Sequence, residues 1–206
     1  MQERKRLFIG KKIDARERIE IIKWAANNEY DSLVFSLGER LSAKNEYIKL
    51  AKRCSLLIEA GGHDLSLLLP ERLFLFHRDL FRMEQGDRKK QYHFCPTNPR
   101  TIEIIKERAR YLFARSMPVV TVPRIFHLLP DKGHETIWCA CPACRAFSPA
   151  EQNIIAVNAA ADTLAKLDPE ARLSFLDFNT EPEVEAAGVT PRENMFKLSL
   201  SPSAGQ

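Results

Sequence analysis

The chain has 206 residues, 45% of them hydrophobic and 28% charged, enough apolar material for one sizeable core in a soluble globular domain. Its 31 basic residues are nearly balanced by 27 acidic ones, and only Arg88-Lys89-Lys90 and Lys11-Lys12 cluster, which argues against a nucleic-acid partner. No window approaches the roughly 18 consecutive apolar residues of a membrane span, and the charged start Met1 to Arg6 lacks the apolar stretch of a secretion signal. A cytoplasmic location is therefore expected, where the five cysteines are thiols or ligands rather than disulfides.

In chain order, Leu7-Phe8-Ile9 reads as a first strand, and Asp14 caps a helix whose apolar face is Ile19, Ile22 and Ala26. Leu33 to Leu37 is a buried second strand ended by Gly38. Ser42 opens a second helix in which Tyr47, Leu50, Cys54 and Leu57-Ile58 recur at helical spacing until Gly61-Gly62 stops it. Leu65 to Leu69 reads as a third strand closed by Pro70, Arg72 to Phe76 as a further extended piece, and His77 to Gln85 as a short helix. Phe94-Cys95 ends a fourth strand at Pro96, and Asn98-Pro99 opens a helix through Ile102, Ile105, Ala109 and Leu112.

Arg124 to Leu128 gives a fifth strand. Ser148-Pro149-Ala150-Glu151 is a capping box that opens a helix carrying Ile154, Val157, Ala161 and Leu164. Leu173 to Phe178 and Met195 to Leu200 are the sixth and seventh strands, Glu181 to Val189 lies between them, and 201–206 is a tail. Seven strands alternating with helices predict an α/β (β/α)8 TIM-like barrel of about seven units, a single domain over 1–200. A doubly wound open sheet is the alternative, without the Gly-x-Gly-x-x-Gly of a dinucleotide site.

Cys139, Cys141 and Cys144 fall within six residues, in Trp138-Cys-Ala-Cys-Pro-Ala-Cys-Arg145. If strands four and five are adjacent, Cys95 joins them, and four thiolates make a closed tetrahedral zinc site of structural type. Uncoordinated thiols, a thiol redox centre and a Cys139–His134 nucleophile pair are the other uses of such a group, whereas Cys54 belongs to the core. Residues just past the strand ends converge on one face of a barrel. There the sequence places Lys11, Asp14, Glu39, Glu71, Arg72, His127, Asp131, Asp177 and Glu181. Asp14 is first of all a helix cap, and Glu39 and Glu181 are as well explained by solvation. Asp131, which follows an apolar strand and shares its loop with His134 and Glu135, is the best-placed acid. Two carboxylates at roughly 5 or 6.5–9.5 Å are what glycosidic hydrolysis requires. Asp131, with Glu135 or Asp177, is the expected catalytic pair. Arg72, His127, His134 and Trp138 are the expected substrate contacts, Trp138 by stacking on a sugar ring. His63 and His93 are expected as packing or surface residues.

Phe94-Cys-Pro-Thr-Asn-Pro99, His127-Leu-Leu-Pro-Asp131, the cysteine loop, Val157-Asn-Ala159 and Arg172-Leu-Ser-Phe-Leu-Asp177 resemble a bacterial domain of unknown function. That family looks like the catalytic barrel of α-glucuronidase-like glycoside hydrolases. The resemblance, over roughly residues 60–200, implies a TIM barrel and a carbohydrate ligand. It matches Asp131 to the acid that ends the fifth strand, and Cys95, Cys139, Cys141 and Cys144 to the family's cysteines. Family members continue past the seventh strand and often carry secretion signals. A chain that stops short leaves barrel edges which a homo-oligomer would cover.

Overall fold

A computed structural model of the chain describes residues 4–10, 13–176 and 188–198. Six parallel strands form one sheet in the order β1 (Arg6–Ile9), β2 (Ser32–Phe35), β3 (Leu57–Gly62), β6 (Ile125–Leu128), β7 (Arg172–Leu176) and β8 (Met195–Leu198). A two-residue hairpin of β4 (Met83–Glu84) and β5 (Asp87–Arg88) stands apart from it. Among the described residues four α-helices accompany the sheet: α1 (Ala15–Asn27), α2 (Glu46–Arg53), α3 (Pro99–Ser116) and α4 (Pro149–Leu167).

The helix starts follow local chemistry. Asp14 accepts from the amides of Arg16 and Glu17, Asn98 accepts from Arg100 ahead of a first-turn proline, and Ser148 and Glu151 close both halves of the capping box. Alternation along the strands then sorts side chains into two layers. Leu33, Phe35, Ile58, Ala60, Phe126, Leu128, Leu173 and Phe175 face the helices and join two apolar clusters. Arg6, Phe8, Glu59, His127, Ser174 and Phe196 share the opposite, concave layer, where Arg6 lies 5.8 Å from the centre of the Phe196 ring. β1 and β8, the two ends of the sheet, thus approach each other without pairing by hydrogen bonds, and the sheet is a partial barrel.

Two predicted strands are corrected. Leu65–Leu68 and Glu71–Leu75 are short 3-10 turns, and Phe94 makes an isolated antiparallel bridge to Phe81, so neither Leu65 to Leu69 nor Phe94-Cys95 is a sheet strand. The third strand is instead Leu57–Gly62, the segment assigned above to the end of a helix. Helix α2 stops at Arg53 because Ser55 takes a left-handed conformation with φ 59°. Gly61 is required where it sits: its φ is +131°, and a Cβ there would lie 1.9 Å from the carbonyl oxygen of His127 on β6. The expected helix over His77 to Gln85 is a 3-10 turn at Arg78–Leu80 followed by β4. Asp177, Glu181 and the 201–206 tail lie outside the described residues.

Candidate metal centre and rim site

Cys95, Cys139, Cys141 and Cys144 are all buried, with their sulfurs within 4.8 Å of one another. Cys95 Sγ is 3.7 Å from Cys141 Sγ and 3.6 Å from Cys144 Sγ. A tetrahedron with metal–sulfur bonds of about 2.3 Å has edges of about 3.8 Å, so these spacings fit a four-thiolate cation site. The protein alone does not favour four anions here. Hydrogen bonds from Cys139 and Cys144 lower the Cys95 thiol, while those to Cys139 and Cys95, reinforced by burial, raise Cys144. A divalent cation supplies the charge that lets all four ionise.

The surroundings fix the sulfurs. Met83 N donates to Cys139 Sγ at 3.2 Å, Ala140 N donates to Met83 O at 2.8 Å, and the Arg88 guanidinium is 3.9 Å from Cys139 Sγ. Gln152 of α4, itself buried, accepts from Cys139 N and donates to the carbonyls of Cys139, Cys144 and Phe147. The hairpin and α4 therefore brace the centre from two sides. Cys95 reaches the trio through the long β3–α3 connection, where its amide donates to Leu80 O.

Beside this centre lies the carboxyl-end rim of β3 and β6. Ser36 Oγ and Leu37 N donate to Asp64 at 2.9 and 2.8 Å, tying β2 to β3. Ser66 Oγ donates to Asp131 Oδ1 at 2.8 Å, and His63 Nδ1 contacts Pro130 O. His93 Nδ1 donates to Ile137 O at 2.6 Å, and burial pushes this imidazole below its ordinary pKa. Its ring stacks on Trp138 at 4.3 Å, and His134 stacks on Tyr92 at 3.6 Å. Three buried atoms here have no hydrogen-bond partner: Asp131 Oδ2, His93 Nε2 and His134 Nδ1.

The predicted site residues divide accordingly. Asp131 and His134 share the rim. Glu135 is there too, but its Oε1 caps the turn at Gly133 N. Trp138 is buried, stacked on His93 with Nε1 donating to Glu135 O, so its face is not open to a sugar. Arg72 is exposed in a 3-10 turn. His127 is fully buried in the concave layer, held by Ser174 Oγ at 2.6 Å and Glu59 Oε2 at 2.7 Å. Arg4 and Arg6 pair with the same Glu59 at 3.0 and 2.9 Å. Glu39, counted among the strand-end acids, pairs with Arg18. Sequence reasoning missed Glu59, Asp64 and His93. A lone acid inside Leu57 to Gly62, an otherwise apolar run, was the available signal for Glu59.

The fold is α/β, with a mostly parallel sheet similar to that of solved glycoside-hydrolase barrels. No protein-family model and no curated protein sequence matches the chain. Among solved structures it is similar to the tandem GH20 catalytic modules of the pneumococcal exo-β-D-N-acetylglucosaminidase StrH. That match has 12% identity and a TM-score of 0.61, over 93% of this chain and 57% of that one. It is also similar to the GH20 β-N-acetylhexosaminidase of Streptomyces coelicolor A3(2), with 15% identity and a TM-score of 0.52, over 97% and 43%. The α-galactosidase of Lactobacillus brevis matches with 7% identity and a TM-score of 0.51, over 85% and 27%. The chain thus spans between 27% and 57% of the length of these proteins, and the likeness concerns the fold. Among the described residues no helix is long and apolar enough to cross a membrane.

Proposed function

We propose that the chain is a carbohydrate-active barrel segment in which Asp131 acts as acid/base on a glycosidic bond, with Glu135 or Asp177 as the second carboxylate. The observation that carries this reading is the position of Asp131, at the carboxyl end of a central parallel strand with one oxygen anchored by Ser66 and the other unpaired. His134 and Arg72 are assigned to sugar contacts, whereas buried His127 and Trp138 act by shaping the site. Cys95, Cys139, Cys141 and Cys144 hold a structural zinc, which pins the loop after β6 against the segment before α3. The metal, when bound, supplies folding free energy rather than chemistry, since four thiolates leave no open position. The chain is assigned to a reducing, cytoplasmic compartment by its five unpaired thiols, and a second copy would cover the free edges of β1 and β8.

The test is hydrolysis of aryl N-acetylglucosaminides, galactosides and glucuronides by metal-replete protein, with glucuronides included because of the α-glucuronidase-like resemblance. Turnover that falls at least about 100-fold in Asp131→Asn supports the reading; silence across the panel ends it. A second reading, a non-catalytic sugar-binding module with the same zinc, is favoured by the engagement of Glu135 in its own turn. It predicts about one zinc per chain and sugar binding without turnover.

A further inference from the structure

We propose, on the four-thiolate reading above, that Gln152 is the positioning residue of the metal centre: its buried carboxamide closes the cysteine loop, so that Cys139, Cys141 and Cys144 converge before a cation arrives. Its hydrogen bonds go to backbone groups, and it therefore acts through the ligands rather than as one of them.

Helix α4 delivers this side chain. The capping box of Ser148 and Glu151 sets the first turn, and Gln152 N donates to Ser148 O at 3.0 Å, which leaves the residue one turn in and only 4% exposed. Its Oε1 accepts from Cys139 N at 3.1 Å, and its Nε2 donates to the carbonyls of Cys139, Cys144 and Phe147 at 3.2, 3.3 and 3.2 Å. An amide N–H facing one end and carbonyls facing the other fix which way the carboxamide points. The loop also turns on itself: Cys144 N and Arg145 N donate to Cys141 O, and Phe147 N to Cys144 O, each at 3.0 Å. Those bonds shape the stretch from Cys141 to Phe147 without reaching Cys139. Gln152 supplies that link, tying Cys139 at the start of the loop to Cys144 and Phe147 at its end, and it serves both buried backbone groups of Cys139.

The consequence is entropic. Without the carboxamide a cation must gather three sulfurs from a loop whose ends are free to part, and the cost of ordering that loop is subtracted from its affinity. Groups that hold metal ligands in place typically account for roughly 10–100-fold in affinity. Asn153, the next residue of α4, is fully buried as well, but its Nδ2 donates at 3.0 Å to Leu176 O on β7. It fastens the helix to the sheet instead of to the cysteine loop, which makes it the control.

The experiment titrates the reduced full chain with cobalt(II) chloride, followed by the visible bands of tetrahedral thiolate-bound cobalt, and then displaces the cobalt with zinc chloride. Gln152→Met keeps the length of the side chain and removes its hydrogen bonds. It should reach the parent's spectrum at saturation, since all four sulfurs remain, but bind zinc at least about tenfold more weakly. Asn153→Leu should lower the melting temperature and keep zinc affinity within about threefold of the parent's. Should Gln152→Met fail to fold, Gln152→Asn, which keeps the amide and shortens its reach, takes its place with the same expected weakening. Zinc affinity within about threefold of the parent's in the Gln152 variant overturns the proposal, and so does an equal loss in Asn153→Leu, the mark of a general loosening of α4. A parent chain that develops no cobalt–thiolate bands removes the four-thiolate reading and this role of Gln152 together, whereas a parent that binds beside a variant that binds equally well removes only the role of Gln152.

Discussion

Replacing Glu59 by Gln probes the concave layer directly, because the amide keeps the carboxylate's shape and removes its charge. Arg4 and Arg6 then lose their counter-ion at 24% and 10% side-chain exposure. Removing one partner of a buried pair costs about 3–5 kcal/mol, and since Arg4 recovers some hydration the lower end, about 3 kcal/mol, is expected. Titration gives a similar figure. Burial by itself would raise the Glu59 carboxyl, but the hydrogen bond and charge of His127 and the Arg6 guanidinium hold it at about 2 instead of 4.5. At about 1.4 kcal/mol per unit this is again about 3 kcal/mol at neutral pH. The carboxyl is depressed, so its contribution is complete above about pH 4.5 and is lost as pH falls toward 2, leaving about 1.4 kcal/mol at pH 3. Urea unfolding of both proteins at pH 7 and pH 3 measures the gap. A difference below about 1 kcal/mol at pH 7, or one that does not shrink at pH 3, refutes the account.

His127 adds acid sensitivity of its own: burial lowers its pKa below 6.5, so the unfolded chain takes up the proton first. Stability should begin to fall as pH drops below about 6.5, and His127→Gln should flatten that part of the pH profile. Gly61→Ala must accommodate a Cβ 1.9 Å from a backbone oxygen. A loss of more than about 4 kcal/mol or failure to express in soluble form is expected, and a melting temperature near the parent's would contradict the β3–β6 geometry. Cys95→Ser should lose zinc and melt lower, whereas Cys54→Ser, half-buried at the end of α2, should keep both metal content and melting temperature. Ser148→Ala should cost about 1 kcal/mol, read as a drop of about 2–4 °C in a thermal melt.

The three helix caps that start α1, α3 and α4 were legible in the sequence because a cap is an interaction between a side chain and amides two or three residues away. The C-x-C-x2-C spacing was equally local, and it marked a thiol cluster, with a metal site among its possible uses, before any fold was known. Strand β3 was not legible. Buried on both faces, Leu57 to Gly62 carries no alternation, and its apolar residues continue the period of Tyr47, Leu50 and Cys54. Asp131 was found from its place after an apolar strand, but what its oxygens touch was not.

The one-dimensional pattern determined the capped starts of α1, α3 and α4, the parallel α/β character of the fold and the Cys139, Cys141 and Cys144 cluster, since each depends on neighbours close along the chain. Tertiary structure alone decided that Cys95 arrives by a connection rather than a strand, that His127 is sealed beside Glu59 and Ser174, and that Ser66 reaches Asp131. Those pairings span up to 68 residues, as for His127 and Glu59. They are set by strand register and by the packing of loops, which short-range periodicity does not encode.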